Sequence, residues 1–239
     1  MAMRFLSLTL PTPAANLALD EALLLRAEAG EAGEVLRCWE QPSLAVVLGA
    51  GCRLADDVDE AACWIDGVPI LRRSSGGGTV LLGAGCLLYT LVLDGERAPE
   101  LAGIRSSYAY ILAKVAAALP EVNGVEPAGV SDLAAAGRKF SGNAQQRKRR
   151  FLLHHGTLLY AFDLSRVGRY LRPPARQPEY RVGRDHAAFL RNLETPADEI
   201  ERRLRAAWGA ETVESEWPVE RVRQLVAEKY ATEEWLRRR

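Results

Sequence analysis

Gly76-Gly77-Gly78 follow Arg72-Arg73-Ser74-Ser75 and stand between two strand candidates, Val68 to Arg73 and Thr79 to Leu82. Three successive residues without Cβ atoms leave nothing to keep a ligand off the backbone between two strands. Amides freed in this way can form an anion-binding concavity, with Arg73 supplying charge for a phosphate or carboxylate. The same run is equally compatible with a flexible hairpin loop carrying two solvated arginines. A Walker A loop is excluded because no Gly-Lys-Ser/Thr follows, and the lack of a Gly-x-Gly-x-x-Gly opening a helix argues against a dinucleotide fold.

The elements around this loop alternate irregularly. Helical spacing predicts helices over Ala14 to Glu28, a short one opened by Asp56 and Asp57 in which Val58, Ala61, Ala62 and Ile65 share a face, and Leu101 to Leu119. Val35 to Trp39, Leu44 to Leu48 and Cys86 to Leu93 read as strands. An antiparallel hairpin set follows: Asp132 to Ala135, a turn at Ala136-Gly137, Arg138 to Gln145, then Phe151 to Phe162. Arg172 to Gly183 is a Pro- and Arg-rich loop, and helices at Ala197 to Trp208 and Val219 to Tyr230 follow it. With no internal repeat and no low-complexity linker, the pattern is that of one α+β domain over residues 1–239.

Two further segments carry chemistry. In Gly137-Arg138-Lys139-Phe140-Ser141-Gly142-Asn143-Ala144, a strand would place the Lys139 ammonium among apolar neighbours. A charge so placed needs a partner or a bound anion, and the small residues Ser141, Gly142 and Ala144 leave room for one. Alone, Lys139 reads more readily as a solvated hairpin residue than as a ligand-binding one. His154-His155-Gly156-Thr157 puts a glycine on a strand, permitting close backbone approach. A single strand histidine is more often a satisfied core group than a catalyst. No second histidine or carboxylate stands at ligand spacing, so a metal held by protein side chains alone is not expected.

Composition narrows the class. The 239 residues are 48% hydrophobic and 26% charged, as in a globular protein rather than a disordered chain. Thirty-one basic residues balance thirty-one acidic ones, giving no bulk attraction to nucleic acid or anionic membrane. The balance is uneven, however: Gly137 to Arg184 holds 12 basic residues against 2 acidic ones. That block suits an enzyme that attracts a polyanion and docks an acidic protein, although any single arginine in it reads as a solvated surface residue. The first ten residues are too short for a signal h-region, and Thr79 to Leu93 is too short and glycine-interrupted for a membrane span. Cys38, Cys52, Cys63 and Cys86 form no CxxC pair, and read as reduced, mostly buried thiols of a cytoplasmic protein.

Taken together and in order, Arg-Arg-x-x-Gly-Gly-Gly-Thr-Val, Asp-Leu followed by Gly-Arg-Lys-Phe-Ser-Gly-Asn-Ala, and His-His-Gly-Thr-Leu-Leu resemble the lipoate–protein ligase A family. The opening Asn16 to Glu21 and the close Tyr230 to Trp235 also look like that catalytic domain, so the resemblance covers nearly the whole chain. It implies mixed and antiparallel sheets flanked by helices, in a biotin/lipoate-ligase-like catalytic domain without the C-terminal accessory domain of larger members. It implies a two-step reaction: ATP activates the lipoate carboxylate as lipoyl-AMP, with loss of pyrophosphate, and a lysine of a lipoyl domain then attacks the mixed anhydride. By resemblance Lys139 touches both carboxylate and α-phosphate as an electrostatic clamp. Arg72, Arg73, Gly76, Gly77, Gly78, Thr79, Val80 and Leu81 correspond to the loop that contacts nucleotide and lipoate, with Asp132, Ser141, Gly142, Ala144, His155 and Gly156 completing the ATP and lipoate site.

Some positions depart from the family pattern. Ser131 stands where Asn is usual before Asp132, and Leu81-Leu82-Gly83 replaces a frequent Phe-His-Asp. The resemblance implies Mg²⁺ carried mainly by ATP phosphates, lipoyl domains of 2-oxoacid dehydrogenase E2 or glycine cleavage H protein as acceptors, and a possible separate accessory protein. Biotin ligases carry a Gly-Arg-Gly-Arg loop and a Lys-Trp-Pro-Asn-Asp strand, both missing here. Octanoyltransferases of the superfamily work through a cysteine thioester, and no cysteine follows Cys86. That favours a ligase over a lipoyl or octanoyl transferase. Joint retention of Arg73, the glycines and Lys139 argues against a non-catalytic lipoyl- or nucleotide-binding module.

Overall fold

A computed structural model of the chain describes residues 2–119, 124–174 and 177–238. In chain order it runs β1 (Arg4–Ser7), α1 (Pro13–Glu28), β2 (Val35–Glu40), β3 (Ala45–Leu48), α2 (Leu54–Asp57), α3 (Glu60–Ile65), β4 (Ile70–Arg72), β5 (Val80–Leu82), β6 (Cys86–Asp94), α4 (Ile104–Ala118) and β7 (Val125–Ala128). It continues with β8 (Asp132–Ala135), β9 (Arg138–Arg147), β10 (Phe151–Leu159), α5 (Val167–Tyr170), α6 (His186–Phe189), α7 (Ala197–Trp208), β11 (Thr212–Val213), α8 (Val219–Leu225) and α9 (Glu233–Leu236).

Eight strands form one sheet in the order β11-β1-β2-β6-β10-β9-β8-β7, and β4-β3-β5 form a second, smaller one. The β1 pairings to β11 and β2 are parallel, and every other pairing of the large sheet is antiparallel. In the small sheet β3 runs parallel to β4 and antiparallel to β5. The expected α+β architecture, with mixed sheets flanked by helices, is what the chain adopts.

The central strands are apolar on both sides because both faces of the large sheet are covered. One side chain set, including Val35, Trp39, Leu88, Val92 and Leu153, packs against α1 and the small sheet. The alternate set, including Leu36, Tyr89, Leu91, Leu93 and Leu152, packs against Ile111, Leu112 and Val115 of α4 and Ile200, Leu204 and Trp208 of α7. α1 starts where the Thr12 hydroxyl caps the Ala15 amide, with Pro13 in its first turn. Its Ala- and Leu-rich run is buried nearly all round, so its polar residues Asn16, Asp20 and Glu21 are buried as well.

Those polar residues fasten distant parts of the chain. The Arg37 guanidinium, fully buried on β2, donates to Asp20 Oδ1 at 2.6 Å, Asn16 Oδ1 at 2.6 Å, the Asn16 carbonyl at 2.9 Å and the Leu8 carbonyl at 2.9 Å. Glu21 accepts from Lys229 Nζ at 2.8 Å and from the Tyr230 hydroxyl at 2.8 Å, drawing the end of the chain onto α1.

Several sequence expectations need adjusting. β1, β7 and β11 are strands that the pattern does not predict: β1 and β7 have four residues and β11 two, and β7, at one edge of the sheet as β11 is at the other, contains Pro127. The helix expected from Asp56 to Ile65 is two, because Val58 is extended and bridges to Leu171 while Asp59 caps a new start at the Ala62 amide. Ile65 is exposed, so the expected common face does not bury it. The strand expected to reach Phe162 ends at Leu159, and the helix expected to Tyr230 closes in a π turn over Val226–Tyr230. The Pro/Arg loop contains a 3-10 turn at Glu179–Arg181; its Ala175 and Arg176 lie outside the described residues. The Ala136-Gly137 turn is as expected, both residues having positive φ (50° and 67°) as a two-residue hairpin requires.

Arg37→Leu should cost about 3–5 kcal/mol, since it strands the Asp20 carboxylate and two carbonyls in the core. Urea denaturation reads this as a lower midpoint at unchanged slope; a loss below about 1 kcal/mol would show that the Arg37 network is not integral to the fold.

Candidate functional site

The register of the large sheet sets one row of side chains beneath a cavity. Trp39 on β2 lies opposite Leu88 on β6, and Leu88 opposite Thr157 on β10. The Thr157 hydroxyl accepts the Gly142 amide of β9, and Gly142 pairs with Asp132 of β8. Four interstrand steps make this row about 19 Å long. Above it is a cavity of about 120 Å³. Its β2–β6 end is walled by Leu17, Trp39, Val47, Val80, Leu82 and Leu88, and its β8–β9 end by Ser131, Asp132, Lys139, Gly142 and Asn143. It is an apolar slot that ends in charge.

At the charged end the Lys139 ammonium lies 2.8 Å from Asp132 Oδ1, and the Tyr180 hydroxyl donates to Asp132 Oδ2 at 2.8 Å. Burial, then the adjoining Asp132 carboxylate, push the Tyr180 phenol well above its ordinary pKa. Lys139 Nζ would stand 2.8 Å from a Cβ on Gly142, so the absent side chain is what lets the ammonium fold back over β9. Lys139 is neither a core group nor fully solvated: about a quarter of its side chain is exposed, and its charge faces the cavity.

Beneath Gly156 a buried relay fixes the floor. Gln145 Nε2 and Tyr89 Oη sit 3.1 Å from the two ring nitrogens of His154, and Tyr89 donates to Asn143 Oδ1 at 2.6 Å. Asn143 in turn donates to the Ser131 carbonyl and to Ser141 Oγ. Only a neutral His154 protonated on Nε2 satisfies this chain, with Nδ1 accepting from Gln145. Burial, assisted by the neighbouring His155, pushes His154 down to about 3. A Cβ on Gly156 would fall 1.8 Å from Asn143 Oδ1, so only glycine leaves that amide in place.

On the opposite wall, His155 joins two buried groups. Its Nδ1 is 3.2 Å from Asp20 Oδ2 and its Nε2 is 2.6 Å from Ser75 Oγ. Burial alone would raise the Asp20 carboxyl, but the Arg37 charge and the His155 bond outweigh it and hold the group below its ordinary pKa. Ser75 Oγ also accepts from Arg73 Nε at 3.0 Å.

Arg73 lines the cavity, but its guanidinium is turned to the loop. It donates to the carbonyls of Gly76 at 2.6 Å, Gly78 at 2.7 Å and Val47 at 3.2 Å, and burial pulls its pKa down to about 10. The expectation that Arg73 supplies a free charge is therefore corrected: the Gly76 and Gly78 carbonyls converge on its guanidinium, which shapes the loop. Gly77 has φ +82°, and a Cβ there would meet Arg73 Nη2 at 2.9 Å.

The remaining expected residues divide by strand alternation. Thr79, Val80, Asp132, Lys139, Gly142, Ala144, His155 and Gly156 line the cavity with Arg73 and Gly78. Leu81 is turned into the core between Val80 and Leu82, and Ser141 lies beneath the floor as a partner of Asn143. Gly76 and Gly77 are exposed and stand off the cavity wall. Arg72 is fully buried and donates to the carbonyls of Gly49, Cys52 and Leu236, fastening the end of the chain beside the loop.

Trp39, Asp20, Thr90, Asn143 and Thr157 line the cavity too, without having been singled out as site residues. The usable signal was the spacing of Asn16 and Asp20, two polar residues one turn apart in an apolar helix. None of the four cysteines lines the cavity. Burial raises the Cys86 thiol, and burial with the nearby Asp57 raises Cys52, which contacts the Gly77 carbonyl at 3.4 Å. No cluster of three or more His, Cys, Asp or Glu suited to a metal ion occurs among the described residues, and none of their helices is long and apolar enough to cross a membrane.

Much of the basic block is spent internally. Arg150 pairs with Asp94 and Arg169 with Asp66, while Arg138, Arg147 and Arg184 bind backbone carbonyls. These five, read from the sequence as solvated surface residues, are instead bonded to protein groups.

Residues 12–207 match the lipoyl protein ligase A/B catalytic domain family. The chain belongs to that family. It is 31% identical to octanoyltransferase LipM of Carboxydothermus hydrogenoformans, over 93% of this chain and 94% of that protein. It is 30% identical to an Aeropyrum pernix protein assigned as lipoate-protein ligase A, over 70% of this chain and 61% of that protein. Among solved structures, a lipoate-protein ligase A bound with ATP superposes with a TM-score of 0.84 at 23% identity, covering 99% of both chains. A Thermoplasma acidophilum protein with bound lipoic acid gives 0.82 at 21% identity, covering the whole of both. A structure of a bipartite T. acidophilum lipoate protein ligase and its E2 lipoyl domain gives 0.81 at 22%, over 99% of this chain and 96% of that one. These likenesses establish the fold of the family member described here.

Two measurements test the floor. Because folded His154 titrates near 3 and the unfolded side chain near 6.5, the unfolded state binds the extra proton between those values. The resulting stability is complete above about pH 6.5 and is lost as pH falls towards 3, amounting to about 2 kcal/mol between pH 7 and 5. Denaturant melts of the protein and of His154→Gln should differ in pH slope by that amount; parallel slopes would mean that His154 is not buried and neutral. Gly156→Ala should destabilise by about 1–3 kcal/mol through its clash with Asn143, and an unchanged melting temperature would disprove that approach.

Proposed function

We propose that this chain is an ATP-dependent lipoate–protein ligase acting as one catalytic domain, which attaches lipoate to a lysine of a lipoyl domain by way of lipoyl-AMP. The observation that carries the reading is the Lys139 ammonium at the charged end of an apolar slot whose walls contain no thiol. Joining a carboxylate to the α-phosphate of ATP brings two anions together, and a cation fixed at their meeting point stabilises the charge that develops there. The carboxylate oxygen attacks the α-phosphorus, and pyrophosphate leaves. An unprotonated acceptor amine then attacks the acyl carbon, and AMP departs with the bonding electrons of the broken C–O bond.

In this reading Lys139 exchanges Asp132 for the reacting anions. Asp132, retained by Tyr180, keeps the ammonium aimed at the slot before they bind. The acyl chain occupies the apolar wall, and His155 and Gly156 border it. Mg²⁺ would arrive on the nucleotide phosphates and neutralise part of their charge; Asp132 is the carboxylate beside Lys139 able to face it, in keeping with a magnesium site built from one or two carboxylates and phosphates. Lipoyl domains of E2 or H protein are the acceptors proposed, with a separate accessory protein as an optional partner. The site of action is proposed to be the cytoplasm.

The relatives named octanoyltransferase support a second reading, transfer of an acyl group from a thioester without ATP. The cysteine placement weighs against it, because a covalent thioester needs a thiolate within reach of the substrate carbonyl.

Mass spectrometry of an apo lipoyl domain separates the two. Lipoate, Mg-ATP and the enzyme, with and without a candidate accessory protein, should add one lipoyl mass to the acceptor. Lys139→Ala should lower the adenylation rate by about 10²–10³ with little effect on stability. Acyl transfer from octanoyl carrier protein in the absence of ATP, with no mass gain from lipoate and ATP, would replace the ligase with the transferase.

A further inference from the structure

Two large apolar side chains stand in solvent beside the slot's charged end. Val130, next to Ser131 of the wall, is 57% exposed, and Val182, two residues beyond Tyr180, is 81% exposed. Their loops lie against each other: a Cβ on Gly129 would come 3.4 Å from Pro178 Cβ and 3.7 Å from Tyr180 Cε1. Val182 is also held where a β-branched residue is seldom found, at φ 50° and ψ 41° in the left-handed region. Packing within the chain returns little for that strain, because the side chain is so exposed. An apolar residue kept on strained backbone and turned to water, with a second one beside it, marks a surface that meets another molecule.

The charge around the valines narrows what that molecule is. Arg138 donates to the carbonyls of Ala187 and Leu190, and Arg184 to those of Gly137 and Tyr180. These bonds hold both guanidiniums in place without cancelling their charge, whereas Arg150 and Arg169 are matched by carboxylates. Residues 129–139 and 177–191 together hold five basic and three acidic residues, one of the acids being Asp132, the partner of Lys139. An acceptor amine that reacts beside Lys139 enters across this rim, and it arrives as an ammonium that fixed cations repel. Carboxylates next to the acceptor lysine remove the repulsion and engage Arg138 and Arg184. We propose that Val130, Val182, Arg138 and Arg184 form the docking face for the acceptor protein, and that the face fits a lysine flanked by carboxylates and apolar side chains. A lysine on a neutral or basic surface is rejected there, although its amine is chemically equivalent. The inference rests on the reading of Lys139 as the reaction centre given above.

The test measures the two half-reactions apart, with an acidic apo lipoyl domain as the acceptor. The variants are Val182→Gly, Val182→Asp and Arg138→Gln, which keeps an amide donor for the Leu190 carbonyl. All three should release pyrophosphate from lipoate and ATP as the unmodified protein does. Val182→Gly should melt no lower than the unmodified protein, because glycine relieves the backbone, and yet raise the acceptor KM by about fivefold through the lost apolar contact. Val182→Asp should raise it by about tenfold or more, as a carboxylate set against carboxylates. The acceptor KM of the unmodified protein should rise with salt, and Arg138→Gln should flatten that rise. Exchanging the carboxylates beside the acceptor lysine for amides should raise KM less in Arg138→Gln than in the unmodified protein. An acceptor KM that ignores Val182→Asp, or that is flat in salt, overturns the proposal. A dimer in sedimentation that Val182→Asp dissociates also overturns it and gives the face to a second copy. Should lipoate and ATP release no pyrophosphate, the ligase reading has failed, and calorimetric binding of the same lipoyl domain decides the docking face separately. Binding that Val182→Asp weakens sustains it; binding that it leaves unchanged, or none, overturns it.

Discussion

The buried pair between Arg37 and Asp20 is the contact on which the rest of the site depends. A guanidinium at the centre of a two-faced sheet is tolerable only with its hydrogen bonds met, and Arg37 meets them with Asp20, Asn16 and the Leu8 carbonyl. Asp20 is thereby held ionised and aimed at His155, His155 at Ser75, and Ser75 at Arg73, whose guanidinium gathers the carbonyls of Gly76 and Gly78. One unbroken line of polar contacts therefore runs from the core to the glycine loop. Through it, the position of a flexible loop is fixed by a helix and a strand remote from it in sequence.

The slot is the gap left where this line and the Tyr89–Asn143 relay stand apart. Both are buried, and both are made of groups that satisfy one another, so they serve as rigid walls. Lys139 differs in kind. Its partner is the largely buried Asp132 carboxylate, but its own side chain is about a quarter exposed, and its charge is available where the other charges are spent. A preorganised cation beside walls that need no rearrangement is the arrangement expected of a site that stabilises developing charge.

How much of this could be read from the sequence follows from the range of each interaction. Asp132, Lys139 and Gly142 belong to one hairpin, so local pattern was enough to bring them near one another. The Ala136-Gly137 turn fixes the register only as far as the Ala134–Lys139 pair, however, and a bulge beyond it, which the pattern does not report, sets Gly142 opposite Asp132. The apolar runs of β6 and β10 were legible as buried strands for the same reason. The Ser75–His155 bond spans 80 residues and the Tyr180–Asp132 bond 48, and no periodicity reports such pairings. Arg72 and Arg73 illustrate the limit best. They are adjacent and chemically identical, yet alternation sends one to the carbonyls around Leu236 and the other to the loop. The side chain of Leu81 likewise turns to the core between two residues that line the cavity, because which of three neighbouring residues faces a cavity depends on where the covering layer lies.

The fastening of the chain's last turns has a temporal side. Arg72 grips the Leu236 carbonyl, the Trp235 indole donates to the Arg72 carbonyl, and Glu21 binds Lys229 and Tyr230. Residues beside the glycine loop thus await contacts made some 160 positions later. During synthesis the sheet's central hairpins and the inner anchor of the loop, from Asp20 through His155 and Ser75 to Arg73, have their partners long before that. A nascent chain can therefore hold the slot's walls while Arg72 and Glu21 still lack the contacts that the later turns bring, so the outer bracing of the site is set after the site itself.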